Sequence, residues 1–278
     1  SPVRTPHEEN NRVVCKYFKP KSDRRTPAMI VIHYLGGDFS AVEMTAAQLA
    51  SRDVAGLFIL LPYYKERKPP GLKVGMENCK NTQDFIAYFK QAVKDVIRAK
   101  SVLQSRPEVL PDRVGVMGIS LGGIISALAS GVDLNFARCV FLIAGGDIVS
   151  ILTGKAKEVQ KIKEGLEKEG GQDAIRKKIE IIEPLTYASR ISDSKVLMYN
   201  ALSDEIIPRE ATNKLVHAIG IPTIKWFPGG HYTTAIFARG LVTHHRNVSG
   251  AINCTTNIFM GKLGIHPSYI KKIHGKLK

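Results

Sequence analysis

The sequence lacks most of the features that would assign it to a membrane, a metal or a nucleic acid. No apolar run approaches the ~20 residues that a membrane-spanning helix needs; Val31-Ile32 and Gly56 to Leu61 are pieces of strand length. Cysteine is scarce. The four residues Cys15, Cys79, Cys139 and Cys254 lie far apart with no CxxC pair, so the spacing of a metal site is missing. Cys139 sits in an apolar run and reads as a small buried hydrophobe. Acidic residues are outnumbered, 25 against 40 basic ones, for a net charge of +15. That excess is scattered, with no zinc-finger, RNP-like or helix-turn-helix pattern to organise it, and nucleic-acid binding is not expected. A dispersed positive surface acts on solubility and on the attraction of anions. Neither an internal repeat nor a low-complexity segment is present, and no signal peptide is recognisable. The first residue is Ser1 rather than methionine, which suits a soluble, secreted or processed form and leaves the compartment open. Asn247-Val248-Ser249 and Asn253-Cys254-Thr255 fit the glycosylation sequon, which has meaning only in a eukaryotic secretory pathway.

What is present is enough for one large α/β domain: 278 residues, 44% apolar and 23% charged. Val13 to Phe18 reads as an early strand and Ala28 to Ile32 as the first fully apolar one, followed by His33-Tyr34-Leu35-Gly36-Gly37-Asp38. Ser40-Ala41-Val42-Glu43 has capping-box form and opens a helix to about Arg52. Gly56 to Leu61 is the next buried strand, stopped by Pro62. Gln83 to Gln104 carries Phe85, Phe89, Val93, Val96 and Ile97 at helical spacing. Strands then fall at Arg113 to Met117, Phe136 to Ala144, Val196 to Tyr199 and Thr223 to Phe227. The segment 151–180 changes character, rich in lysine and glutamate around Gly170-Gly171. It reads as a solvated helical pair or as a small helical cap inserted within a single domain spanning 1–278. A last helix and a frayed lysine-rich end complete the chain. Strands alternating with helices imply a mainly parallel central sheet with helices on both faces. Ligands of such sheets bind at the carboxyl ends of the strands. The loops after Ile32, Leu61, Met117, Ala144 and Tyr199 should therefore converge.

The most informative stretch is Gly118-Ile119-Ser120-Leu121-Gly122, which follows a β-branched run and leads into a small-residue helix. Gly-x-Ser-x-Gly in strand–turn–helix context is the nucleophile elbow, in which glycines let strand and helix approach closely around a sharply turned serine. A serine hydroxyl is a weak nucleophile until a base takes its proton, and an imidazole oriented by a carboxylate is the usual base. The order Ser120…Asp204…His231 supplies all three, with Asp204 and His231 each just beyond a predicted strand. Asp147 is the competing acid. Glu205 is adjacent but expected to point elsewhere. His244 and His245 are rival bases on an expected helix, without the glycine-rich setting of Gly229-Gly230-His231.

These motifs resemble the α/β-hydrolase superfamily, and within it the dienelactone-hydrolase-like and serine esterase branches. The likeness runs from about Val13 to Tyr232. It rests on His33-Tyr34-Leu35-Gly36-Gly37, Leu61-Pro62-Tyr63-Tyr64, the elbow with Gly123, Leu202 to Pro208 and Gly229-Gly230-His231. Dienelactone hydrolases proper carry cysteine at the elbow, where Ser120 stands here. The resemblance implies a backbone oxyanion hole at Leu121 and in the loop after Ile32, at Leu35 with Tyr34 as the alternative, and a bracing hydrogen-bond role for His33. Tyr34, Tyr63, Tyr64, Trp226, Phe227 and Tyr232 are the aromatic candidates for the pocket. Tyr63 and Tyr64 are favoured because they follow a strand on the active edge. Lys65, Arg67 and Lys68 read first as a solvated basic loop, or else as an attractor of a carboxylate-bearing substrate. The resulting expectation is hydrolysis of a small-molecule carboxylic ester without metal or organic cofactor. A thioesterase, lactonase or peptidase on the same residues, or a non-catalytic binding protein on the scaffold, are the alternatives.

Overall fold

The central strands are apolar over the stretches that pair in the middle of the sheet because both faces there are covered, leaving no solvent side for alternation to mark. The computed structural model describes residues 1–154, 160, 163–164 and 170–234. Within them β1 (Cys15–Phe18), β2 (Thr26–Ile32), β3 (Ala55–Ile59), β4 (Val109–Ile119), β5 (Cys139–Leu142), β6 (Val196–Ala201) and β7 (Thr223–Phe227) form one sheet. Its order is β1-β3-β2-β4-β5-β6-β7. Only β1 runs antiparallel, against β3; the other pairs are parallel. Every residue of β3, β5 and β6 is buried, whereas the edge strands β1 and β7 are partly exposed.

The helices are α1 (Glu8–Asn11), α2 (Ser40–Ala50), α3 (Thr82–Gln104), α4 (Leu121–Val132), α5 (Ile148–Leu152), α6 (Gln172–Ile179), α7 (Pro184–Ala188) and α8 (Arg209–Ile219). In α3 the buried residues Phe85, Phe89, Ala92, Val96, Ala99 and Leu103 recur every three or four positions, which lays one apolar stripe against the core. Its start lies at Thr82, where the Asn81 side chain accepts the Asp84 N–H at 2.8 Å. Helix α4 carries almost nothing but buried residues, as befits an element wedged between β4, β5 and α3.

One local expectation fails. Ser40 does not form a capping box, because the residue preceding the helix is Phe39 and it makes no side-chain cap. Asp38 Oδ1 accepts the Ser40 N–H at 2.9 Å instead, and Glu43 reaches across to Lys16 Nζ at 2.7 Å. Phe39 is drawn inward to stack on His33 at 3.7 Å between centroids. Tertiary packing at this turn overrides the local capping pattern. Of the segment 151–180, the described residues form the end of α5, α6 and the turn after it. The remainder, 155–159, 161–162 and 165–169, lies outside the described residues, as do the expected last helix, His244, His245, both sequons and Cys254.

Candidate active site

Strand β4 ends at Ile119 and α4 begins at Leu121, so a single residue carries the whole change of direction. That residue is Ser120, with φ 54° and ψ −115°, a conformation disfavoured for any residue with a Cβ and costing about 1–3 kcal/mol. Two backbone bonds hold it there. The Ser120 N–H donates to Leu142 C=O at 2.9 Å, and Ser120 C=O accepts the Ile124 N–H at 3.0 Å. The flanking glycines are required by contact. A Cβ on Gly118 would stand 2.1 Å from Gly122 O, and one on Gly122 would stand 2.5 Å from the carbonyl oxygens of Ile32 and His33. Strand, turn and helix can close around the serine only because both side chains are absent.

His231 meets this serine from the loop after β7. Ser120 Oγ and His231 Nε2 are 2.9 Å apart. His231 Nδ1 lies 2.9 Å from both oxygens of Asp204. Asp204 Oδ1 also accepts the N–H groups of Ile206 and Ile207, at 2.9 and 2.8 Å. An ionised carboxylate has only acceptors, so Nδ1 carries the proton and Nε2 is left to accept the Ser120 O–H. The side chains of His231 and Asp204 are 5% and 2% exposed, and such interactions act more strongly out of water. Glu205 takes no part in orienting the ring; its Oε2 accepts the His231 backbone N–H at 3.1 Å. Gly230 leaves room for it, since a Cβ there would lie 2.5 Å from that oxygen and would turn the Glu205 side chain away. Asp147, the rival acid, is committed elsewhere. It caps α5 through Ser150 and pairs with Arg176 and with Lys214, the latter at 2.6 Å.

The loop after β2 is held by His33, which is fully buried. Its Nε2 accepts the Leu61 N–H at 3.0 Å, so Nδ1 is the protonated nitrogen and donates to Tyr34 C=O at 2.7 Å. The peptide joining Tyr34 to Leu35 is planar and trans, which aims the Leu35 N–H opposite to the carbonyl that His33 holds. The Leu121 N–H is the first amide of α4, where no intrahelical partner exists.

These elements surround a cavity of ≈ 240 Å³. Tyr34 and Leu35 after β2, Ser120 and Leu121 at the elbow, Ile206 and Ile207 after β6, and His231 and Tyr232 after β7 all line it. Tyr63 and Tyr64, expected in the pocket, are not among its lining residues. Tyr64 is buried edge-on against His33 and Phe39, and the Tyr63 N–H is tied to Asn10. Trp226 and Phe227 stay outside as well, the first beneath Arg209 and the second stacked on Tyr199. The wall is formed instead by Met76 and by Phe85, Phe89, Ile124, Ile148 and Leu152. The sequence places Phe85 and Phe89 on the apolar stripe of a helix and singles out none of the others for the pocket, because an apolar pocket wall and an apolar core have the same periodicity. The basic loop does not reach the cavity either. Arg67 is buried in a pair with Asp95, Lys68 Nζ bonds Leu72 C=O, and Lys65 Nζ lies over Phe39.

Among the described residues, a seven-stranded, mainly parallel sheet with a strained serine between β4 and α4, a histidine after β7 and an acid after β6 defines the α/β-hydrolase architecture. The model of the dienelactone hydrolase family matches residues 15–233, and the chain belongs to that family. Two uncharacterised proteins of Mycobacterium tuberculosis strains CDC 1551 and H37Rv are 26% identical over 187 residues, 64% of this chain. The matched stretch spans only 43% of their length. Among solved structures, a puromycin-hydrolysing peptidase of Mycobacterium tuberculosis superposes with TM-score 0.66 at 17% identity, over 85% of this chain and 37% of its own. The acetyl xylan esterase of Paenibacillus sp. R4 gives 0.63 at 21%, over 82% and 78%. Est1E of Butyrivibrio proteoclasticus, bound to ferulic acid, gives 0.60 at 16%, over 84% and 91%. At these identities the structures share the fold.

Burial lowers the His33 pKa to about 3, against about 6.5 for an unfolded histidine. Between those values only the unfolded chain takes up the proton. The contribution of neutral His33 is therefore complete above pH 6.5 and is lost as the pH falls toward 3, at up to about 1.4 kcal/mol per pH unit. Denaturant titrations from pH 7 to 4 should show a shallower acid loss for His33→Gln than for the parent chain. Identical slopes would contradict the assignment.

Proposed function

We propose that the chain is a serine hydrolase that cleaves a carboxylic ester through an acyl-enzyme. The single observation that carries this reading is the continuous path Ser120 Oγ–His231 Nε2, His231 Nδ1–Asp204, with each separation at 2.9 Å. Ser120 Oγ attacks the ester carbonyl carbon as His231 Nε2 takes its proton. Asp204, kept in place by the Ile206 and Ile207 amides, stabilises the resulting imidazolium. Negative charge then appears on the carbonyl oxygen, and the N–H groups of Leu121 and Leu35 are the donors assigned to it. A donor of this kind is worth roughly 3 kcal/mol in the transition state. Collapse of the tetrahedral species breaks the bond to the alkoxy oxygen, to which His231 returns the proton. Water repeats the sequence on the acyl-enzyme, releasing the carboxylic acid and restoring Ser120.

Family membership supports a hydrolase, and the esterases among the fold neighbours favour an ester. Thioesters, lactones and peptide bonds are open to the same chemistry. A binding module on this scaffold would have no use for a strained, buried serine hydrogen-bonded to an imidazole.

Turnover of p-nitrophenyl esters tests the reading. Ser120→Ala should lose about 10⁶-fold in kcat, and Asp204→Asn about 10⁴-fold. A fluorophosphonate should label Ser120 covalently in the parent chain. Absence of both turnover and label would favour the binding module.

A further inference from the structure

We propose that the acid half of the substrate is an uncharged hydrocarbon acyl group longer than acetyl, seated in the cavity beside Ser120. The inference rests on the ester-hydrolase reading and adds the class of substrate. Chemistry orients the ester. His231 must reach the leaving oxygen, so the alcohol half lies on its side, where the neighbouring Tyr232 is 56% exposed. The acyl half is left with the wall made by Phe85 and Phe89 of α3, Ile124 of α4, and Ile151 and Leu152 of α5. All five are buried. Among the described lining residues, side-chain polar atoms belong only to Ser120, His231, Tyr34 and Tyr232, and none is a carboxylate, ammonium or guanidinium. A carboxylate brought into such a wall would lose its hydration without gaining a partner. An acetyl group would leave most of the ≈ 240 Å³ unfilled.

Each buried methylene is worth about fourfold in binding. With p-nitrophenyl esters of the full chain, kcat/KM should rise about fourfold per added methylene beyond acetyl until the wall is reached. The p-nitrophenyl monoester of adipate, equal in length to hexanoate but ending in a carboxylate, should react roughly a hundredfold or more slowly. Phe89→Leu, which trims the wall, should move the optimum to a longer chain. Acetate turned over as well as hexanoate, or adipate as well as hexanoate, would overturn the proposal. Labelling of Ser120 by a small fluorophosphonate reads the machinery independently of acyl preference, so failure of the substrate class is distinguishable from failure of the hydrolase reading.

A second, independent observation concerns Arg67. We infer that the buried pair Arg67–Asp95 is a positioning device for the Leu35 amide, acting through two peptide planes and the His33 ring. Arg67 and Asp95 are 0% and 2% exposed. Arg67 Nη1 donates to Leu60 C=O at 2.7 Å, and Nη2 donates to Asp95 Oδ2 and to Asn10 C=O, both at 2.8 Å. Leu60 C=O and the Leu61 N–H belong to one planar unit. Arg67 grips one edge of it, and His33 Nε2 accepts from the other. The opposite side of the His33 ring holds Tyr34 C=O, whose peptide carries the Leu35 N–H. A buried ion pair is weak as a source of stability, because desolvation offsets its attraction. What this pair supplies is direction.

The test compares Arg67→Lys and Asp95→Asn with Val93→Ala, a buried truncation on the same helix as Asp95 whose side chain has no polar atom to join these hydrogen bonds. Both relay variants should lower kcat tenfold or more with KM within twofold, a part of the 10²–10³ that a lost oxyanion donor costs. Val93→Ala should lower the unfolding midpoint and leave kcat unchanged. Asp95→Asn is the gentler change and keeps the test open if Arg67→Lys fails to fold. A kcat for the relay variants equal to that of the parent chain would overturn the role. If instead Ser120→Ala retains activity, the hydrolase reading itself has failed.

Discussion

Everything in the site depends on one backbone constraint, the left-handed turn at Ser120. An L-residue is held there against its own preference by bonds from two directions, one to β5 and one into α4. The two glycines on either side remove the atoms that would push the elements apart. With strand and helix locked together, the serine side chain has nowhere to go but to the sheet's carboxyl edge. The strand ends around it are buried. Close packing on all sides lets a disfavoured conformation persist, since strain survives where the surroundings over-determine it.

Around that turn the polar groups form a short, fully directed set. Asp204 is fixed by two amides before it meets His231, so the imidazole is held in one tautomer and one orientation. Glu205 fixes the histidine's backbone and leaves its ring to Asp204. His33 does for the loop after β2 what Asp204 does for the imidazole: it ties the Tyr34 carbonyl and so fixes the plane of the peptide that carries the Leu35 N–H. The remaining wall is apolar, and a low-polarity surround strengthens each of these bonds. Preorganisation of this kind means that little has to move when charge develops.

Much of this was legible in the sequence, for physical reasons that differ by element. The runs Ala28 to Ile32 and Gly56 to Leu61 announce themselves because buried parallel strands admit few other residues. The elbow was readable because only glycine fits at positions 118 and 122. Other features were not. The cap on α2 failed as a reading because Phe39 serves the core rather than the helix end. The pocket was misplaced onto Tyr63 and Tyr64 because a residue's position after a strand does not say which way its side chain turns. Ile143, a β-branched residue lining the cavity at φ 43°, carries no local signal for its conformation. Arg67 reads in sequence as part of a solvated basic loop; no sequence rule connects it to Asp95, 28 positions away.

The central claim is that the Ser120 hydroxyl becomes covalently acylated. The most direct measurement is a single-turnover experiment with a p-nitrophenyl ester, quenched in acid within the first turnover and read by peptide mass spectrometry. The account predicts one acyl group on the peptide that carries Ser120, appearing with the p-nitrophenol burst and absent from Ser120→Ala. Release of p-nitrophenol with no acylated peptide, or with the acyl group on another residue, would contradict it.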